Sequence, residues 1–178
     1  MEKKTYNTGL NLKAIDSTGC FSGYASVFDV EDNHGDVIFA GAFTNSLLEK
    51  DFSKEVKLLW QHNANEPIGI FTKIYEDDYG LYVEGKLLLE VERAREAYSL
   101  LQNGAVQGLS IGFIVNDFDY AEDGTRIIYE ADLWEVSLVT FPANEKAVIT
   151  EVKSDISLSD NFSHLYDSIE NTIRILRS

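Results

Sequence analysis

Apolar residues along most of this chain recur at every second position, the spacing of a strand whose successive side chains point to opposite faces. Residues 6–15 alternate weakly and suit an edge strand, and 21–28 (FSGYASVF) form a better one. After the loop EDNHGD at 31–36 comes a short apolar piece, Val37, Ile38 and Phe39. It leads into 42–52, where Phe43, Leu47 and Leu48 fall at helical spacing. Residues 56–60 read as a buried strand that closes on Gln61 and His62 and runs into the turn NANEP at 63–67. Residues 68–75 and 81–88 alternate on either side of EDDYG at 76–80, which predicts a hairpin with an acidic turn.

The spacing changes at 90–102, EVERAREAYSLLQ, where acidic residues at the start, strong helix formers within and Asn103-Gly104 as a stop predict a helix. Two further strands, 111–119 and 125–140, flank the turn AEDG at 121–124, and the second is long enough to require a bend or bulge. Pro142 ends it, and 147–152 add a last short strand. Beyond Lys153 the polar stretch SDISLSDN gives way to Phe162, Leu165, Ile169, Ile173 and Leu176 at three- and four-residue steps. The chain therefore divides into a mainly β body with helices, 1–152, and a polar linker with an amphipathic C-terminal helix, 153–178. A barrel is the economical way for such a body to hide its strand edges. The tail helix either completes the core or offers a contact to a partner; its polar linker favours contact, hence a homo-oligomer.

Composition narrows the functions. At 178 residues the chain holds one sizeable core, and fifteen basic against thirty acidic side chains give a net charge of −15, which repels phosphate backbones and makes nucleic acid a poor partner. Cys20 is the single cysteine, so neither a disulfide framework nor a multi-cysteine zinc site is expected. Asp29, Glu31, Asp32 and Asp36 lack the glycine and closing glutamate of a calcium loop. The start, MEKKTYNTG, has no apolar segment of a signal peptide, and no apolar run is long enough to span a bilayer, so a cytoplasmic chain without a membrane partner is expected.

The candidate chemistry begins at GLSIG, 108–112, which matches the G-x-S-x-G pattern of the serine-hydrolase elbow. An elbow needs a helix after the serine, whereas FIVNDFDY at 113–120 reads as a strand, so the α/β-hydrolase fold is excluded. Ser110 is then either a nucleophile or a small residue at a glycine-flanked strand entrance. Of the three histidines, His164 sits among polar tail residues and His34 in an acidic loop, while His62 closes an apolar strand, where scaffolds present side chains to a cleft. In WEVSLV at 134–139, Glu135 and Ser137 share one face and Trp134, Val136 and Leu138 take the other. A glutamate in so apolar a strand needs a partner. A histidine would supply a serine–histidine–acid arrangement; Arg126 or Lys146 would supply a structural ion pair, and a surface position would need neither.

Four segments together resemble the tailed-bacteriophage prohead protease family, capsid-maturation proteases related to the herpesvirus assemblins. They are GYASVF at 23–28 with HGDVIFAGAF at 34–43, LLWQHNANEPIG at 58–69, GLSIGF at 108–113 and WEVSLVTFPAN at 134–144, in that family's order and spacing. The resemblance implies an assemblin-like antiparallel β-barrel with peripheral helices. It also implies a serine endopeptidase without metal or cofactor, working in the bacterial host cytoplasm inside the assembling prohead. Its substrates would be the scaffolding segment of the major capsid protein and the protease itself, with the portal as a further partner. Carried onto this chain, Ser110 resembles the nucleophile, His62 the general base and Glu135 the acidic third member; the herpesvirus branch uses a second histidine there, a part that would fall to His34 or His164. No arginine pair resembling the assemblin oxyanion element stands near Arg126, so backbone N–H groups at 110 or 111, with flexible Gly108 and Gly112, are the expected donors. Ala40 stands where the family more often has proline. The alternatives are a non-catalytic capsid-assembly or scaffold-binding module on the same fold, and a ligand-binding barrel in which GLSIG is incidental.

Overall fold

The computed structural model describes residues 19–151, so the weak strand expected at 6–15 and the tail unit at 153–178 lie outside the described residues. Period-two segments become strands almost where the alternation lies. The order is β1 Cys20–Val27, β2 Asp36–Ile38, α1 Thr44–Glu49, α2 Phe52–Glu55, β3 Lys57–Trp60, β4 Asn63–Glu76, β5 Gly80–Leu87, α3 Glu92–Gln102, β6 Gly108–Tyr120, β7 Arg126–Val139 and β8 Ile149–Glu151. The single helix expected across 42–52 is instead two short ones, α1 and α2, separated by Lys50 and Asp51.

The strands curl into one sheet in the order β2-β7-β3-β4-β5-β1-β8, with β6 on the other edge of β7. The curl nearly closes: Leu109 N–H donates to the Ala147 carbonyl at 2.9 Å, Ile149 N–H to Gln107 at 3.0 Å, and Tyr24 N–H to Val148 at 3.2 Å. The segment before β8 thus joins β1 to the start of β6, an approach that a side chain at Gly23 would block, since its Cβ would fall 2.4 Å from the Val148 carbonyl oxygen. Phe21, Phe43, Phe71, Leu81, Leu133 and Leu138 are fully buried, and Ala94, Ala97 and Leu101 seat α3 against the same core.

Most pairings are antiparallel, as the alternation and short turns imply, but β2 and β3 both run parallel to β7. Nothing local forces that choice, because long stretches of chain separate the partners and no hairpin ties them. The turn expected at 63–67 is also displaced. Trp60 pairs with Asn63, so the reversal is made by Gln61 and His62 alone, both with positive φ (52° and 58°), the geometry of a tight two-residue hairpin. The residues NANEP then begin β4, where Pro67 is accommodated at a register irregularity opposite Leu59.

The bend expected in the long strand is real. Between the pairs Gly112–Glu135 and Phe113–Leu133 the register slips, leaving Trp134 as an extra residue on β7. That bulge overturns the expected face for Trp134, which is exposed while Val136 and Leu138 are buried. Backbone groups beside the bulge are taken up by α1 and the residue after it: Leu133 N–H donates to Ser46 Oγ at 2.9 Å, and Lys50 Nζ donates to the Leu133 carbonyl at 2.9 Å.

Candidate active site

β6 and β7 together set the floor of the site. Ser110 lies opposite Ser137 and Gly112 opposite Glu135, so the four positions share one face of the ladder. Ser110 is thus the third residue of β6, within the strand. Its flanking glycines serve packing instead of flexibility, and neither has a positive φ. A Cβ on Gly112 would lie 2.4 Å from Glu135 Oε1, and one on Gly108 would lie 2.8 Å from both Pro142 Cδ and the Val139 carbonyl oxygen. The small residue at 112 is what lets the glutamate lie across the strand.

His62 reaches this floor from the β3–β4 turn. Its Nδ1 is 2.6 Å from Glu135 Oε1, while Glu135 Oε2 accepts a 2.7 Å hydrogen bond from Ser137 Oγ. Ser137 Oγ in turn accepts from His62 N–H at 3.0 Å. The rest of the turn is fixed as well: Gln61 N–H donates to the Leu138 carbonyl at 3.0 Å and Gln61 Nε2 to Thr140 Oγ1 at 2.8 Å. The Glu135 side chain is 13% exposed and that of His62 44%, so the imidazole stands at the mouth and the carboxylate beneath it. The hydrogen bond to Glu135 raises the His62 pKa above the usual imidazole value; burial opposes the shift and the Glu135 charge adds to it.

With Nδ1 engaged, Nε2 remains the ring nitrogen available to another group. His62 and Ser110 line the same cleft, together with Ile111, Asn144, Asp32 and His34. Ser110 Oγ makes no hydrogen bond within the described residues. The Leu109 N–H points away from β7 toward Ala147, so the Ile111 N–H, two residues on, points to that same edge. That edge is bridged at Gly108 by Val148, and past Leu109 no backbone group among the described residues takes up the Ile111 N–H.

The other candidates fall into place around this group. Glu135 is not ion-paired to Arg126, whose guanidinium grips Asp36 through Nε–Oδ1 at 2.8 Å and Nη2–Oδ2 at 2.5 Å. His34 faces the cleft from a loop held by Asp32, whose Oδ1 accepts from the N–H groups of His34 and Asp36 at 2.8 and 3.0 Å. No hydrogen bond joins His34 to His62 among the described residues, and His164 lies outside them. No group of three or more histidine, cysteine, aspartate or glutamate side chains is arranged to hold a metal ion among the described residues. Ser137 was readable beforehand only as sharing the face of Glu135; its contact with His62 depends on the turn. The Asn33 and Asn144 contacts that hold the cleft wall, Asn33 N–H to Ala143 at 2.9 Å and Asn144 Nδ2 to Val27 at 2.9 Å, have no local sequence signal.

The fold is similar to that of the bacteriophage T4 capsid assembly protease, with a TM-score of 0.55 over 67% of this chain and 81% of that one at 10% identity. The prohead protease of Enterobacteria phage HK97 is 40% identical over 139 residues, which are 76% of this chain and 61% of that protein. A capsid polyprotein of Pseudomonas phage PAJU2 is 37% identical over 110 residues, 58% of this chain and 16% of the polyprotein. The chain thus spans less than two thirds of the length of either relative. The family model of the caudovirus prohead serine protease matches residues 8–161, and the chain belongs to that family.

Proposed function

We propose that this chain is a serine endopeptidase of capsid maturation, with Ser110 as nucleophile, His62 as general base and Glu135 as the acid that orients the imidazole. The observation that carries the reading is the 2.6 Å contact between His62 and Glu135 at the edge of a cleft that Ser110 also lines. His62 Nε2 would take the Ser110 proton as Oγ attacks the scissile carbonyl, and Glu135 would stabilise the imidazolium so formed. The imidazolium then returns the proton to the leaving amine. Water, deprotonated by the same nitrogen, releases the acyl group from Ser110. The Ile111 N–H, on the edge of β6 away from β7 and past the Leu109–Ala147 bond, is the donor we assign to the oxyanion.

The substrate proposed is the scaffolding segment of a major capsid protein, with the protease itself as a further target and the portal as a further partner, inside the assembling prohead in the host cytoplasm. The PAJU2 relative, named a capsid polyprotein, supports a link between this domain and capsid protein. A serine and a histidine on one cleft, with a glutamate bonded to the histidine, favour a working protease over a non-catalytic scaffold-binding module. Reaction with a fluorophosphonate, followed by peptide mapping, tests the assignment: the adduct is expected on Ser110. An adduct elsewhere, or none on folded protein, would remove the nucleophile.

A further inference from the structure

Ser137 occupies a place that the roles of nucleophile, base and acid leave unexplained. Its side chain is fully buried, yet it is a serine in a strand whose neighbours on the sequence, Val136 and Leu138, are core residues. A hydroxyl has one proton to donate and lone pairs to accept with, and both capacities are used here on the same two residues. The proton goes to Glu135 Oε2 at 2.7 Å, and a lone pair takes the His62 N–H at 3.0 Å. With Oε2 held, Oε1 is left to face His62 Nδ1 at 2.6 Å. The histidine itself stands at φ 58°, a left-handed conformation disfavoured for a residue with a Cβ, so its backbone needs anchoring. Gln61 and Thr140 anchor the neighbouring half of the turn, through Thr140 N–H to Gln61 Oε1 at 3.3 Å among other bonds, but they do not touch the acid. Ser137 holds acid and base together.

We propose that Ser137 is a positioning residue of the reaction: its hydroxyl sets the Glu135 carboxylate and the His62 backbone in register, so that the imidazole is aimed at Ser110. The inference rests on the nucleophile, base and acid assigned above. Removing the hydroxyl leaves the His62 N–H without its acceptor and a carboxylate free to turn, and should slow the chemistry more than it weakens binding.

The test compares Ser137→Ala, Ser137→Val and Ser137→Thr with the unaltered chain, following the rate of fluorophosphonate labelling against pH and checking folding by thermal melting. Valine and threonine add the same bulk, so their difference isolates the hydroxyl. Labelling of the alanine and valine proteins is expected to slow about tenfold to a hundredfold, as for loss of one bond to a charged group. The acid limb of their pH profile should move to lower pH as the His62–Glu135 contact loosens, and threonine should restore both. If the added methyl unfolds the valine and threonine proteins, folded Ser137→Ala decides by the same two readouts. Unchanged rate and acid limb in the alanine protein would overturn the role of Ser137 alone. Absence of labelling in the unaltered chain, or labelling that survives Ser110→Ala, would instead remove the nucleophile and with it the reaction that Ser137 serves.

Discussion

His62 Nδ1 and Glu135 Oε1 meet at 2.6 Å although 73 positions separate the residues in the chain. Two features of the fold bring them together. β3 runs parallel to β7 with Lys57 beside Glu135 and Trp60 beside Leu138, carrying the chain past the glutamate. The two-residue turn then reverses the chain and drops His62 back over Ser137 and Glu135. A histidine reaching this carboxylate from a wider turn would lack that aim.

The first prediction concerns pH. The His62 pKa is raised by its bond to Glu135, so the neutral imidazole that the proposed general base requires becomes the major form only above the usual value of about 6.5. Activity should therefore rise with pH through a midpoint above about 6.5. Stability runs the other way: a raised folded pKa contributes stability that is fully present below about 6.5 and is lost as pH rises through the folded value. A pH–rate profile, paired with denaturant melts on either side of that window, checks both signs. An acid limb at or below the ordinary imidazole value would contradict the first.

Glu135→Gln keeps the shape of the acid but not its charge. The amide can still touch the imidazole, yet it cannot stabilise the imidazolium, and kcat is expected to fall about 10²- to 10⁴-fold with little change in KM. His34→Ala is the companion variant, because His34 lines the cleft without bonding His62. Steady-state kinetics on a peptide substrate should show that fall in the first and near-normal turnover in the second. The reverse pattern would move the third role to His34.

Gly112→Ala tests why GLSIG ends in glycine. The new methyl would stand 2.4 Å from Glu135 Oε1, so the carboxylate must turn or the strands must part. We expect a stability loss of about 1–3 kcal/mol, as for an overpacked site, together with at least about a tenfold fall in activity. Denaturant melts and kinetics on the same preparation measure the two effects. An active, stable alanine protein would show that the glycine is there for another reason.

How far the sequence foretells this structure depends on whether the signal is local. Alternation in FSGYASVF and LYVEGKLL locates β1 and β5, and the pairing of Glu135 with Ser137 on one face follows from a spacing of two. Three features escape such reasoning. The parallel union of β3 with β7 joins residues far apart, with no hairpin to announce it. Asn63, Asn65 and Pro67 carry stronger turn signals than Gln61 and His62, but contacts from Leu138, Thr140 and Ser137 override them. The exposure of Trp134 follows from a bulge whose neighbouring backbone groups are satisfied by Ser46 and Lys50, side chains that no inspection of β7 alone would bring there.

Arg126→Ala examines the wall of the cleft without touching its chemistry. Arg126 holds Asp36, whose side chain is 8% exposed, and the two residues also pair in the β2–β7 ladder. Leaving that carboxylate without its cation should destabilise the fold by about 1–3 kcal/mol, less than for a fully buried pair because the arginine is partly solvated. Thermal or denaturant unfolding reads the loss, and wild-type stability in the variant would show the pair to be neutral.

Co-expression of the chain with the major capsid protein of its own phage, followed by intact-mass measurement of the capsid protein, puts the proposed endopeptidase to the test in its working context. The unaltered chain should yield a capsid protein shortened at one defined bond, and Ser110→Ala, folded and equally abundant, should leave it full length. The same cleavage in the presence of Ser110→Ala would contradict a reaction that begins at that hydroxyl.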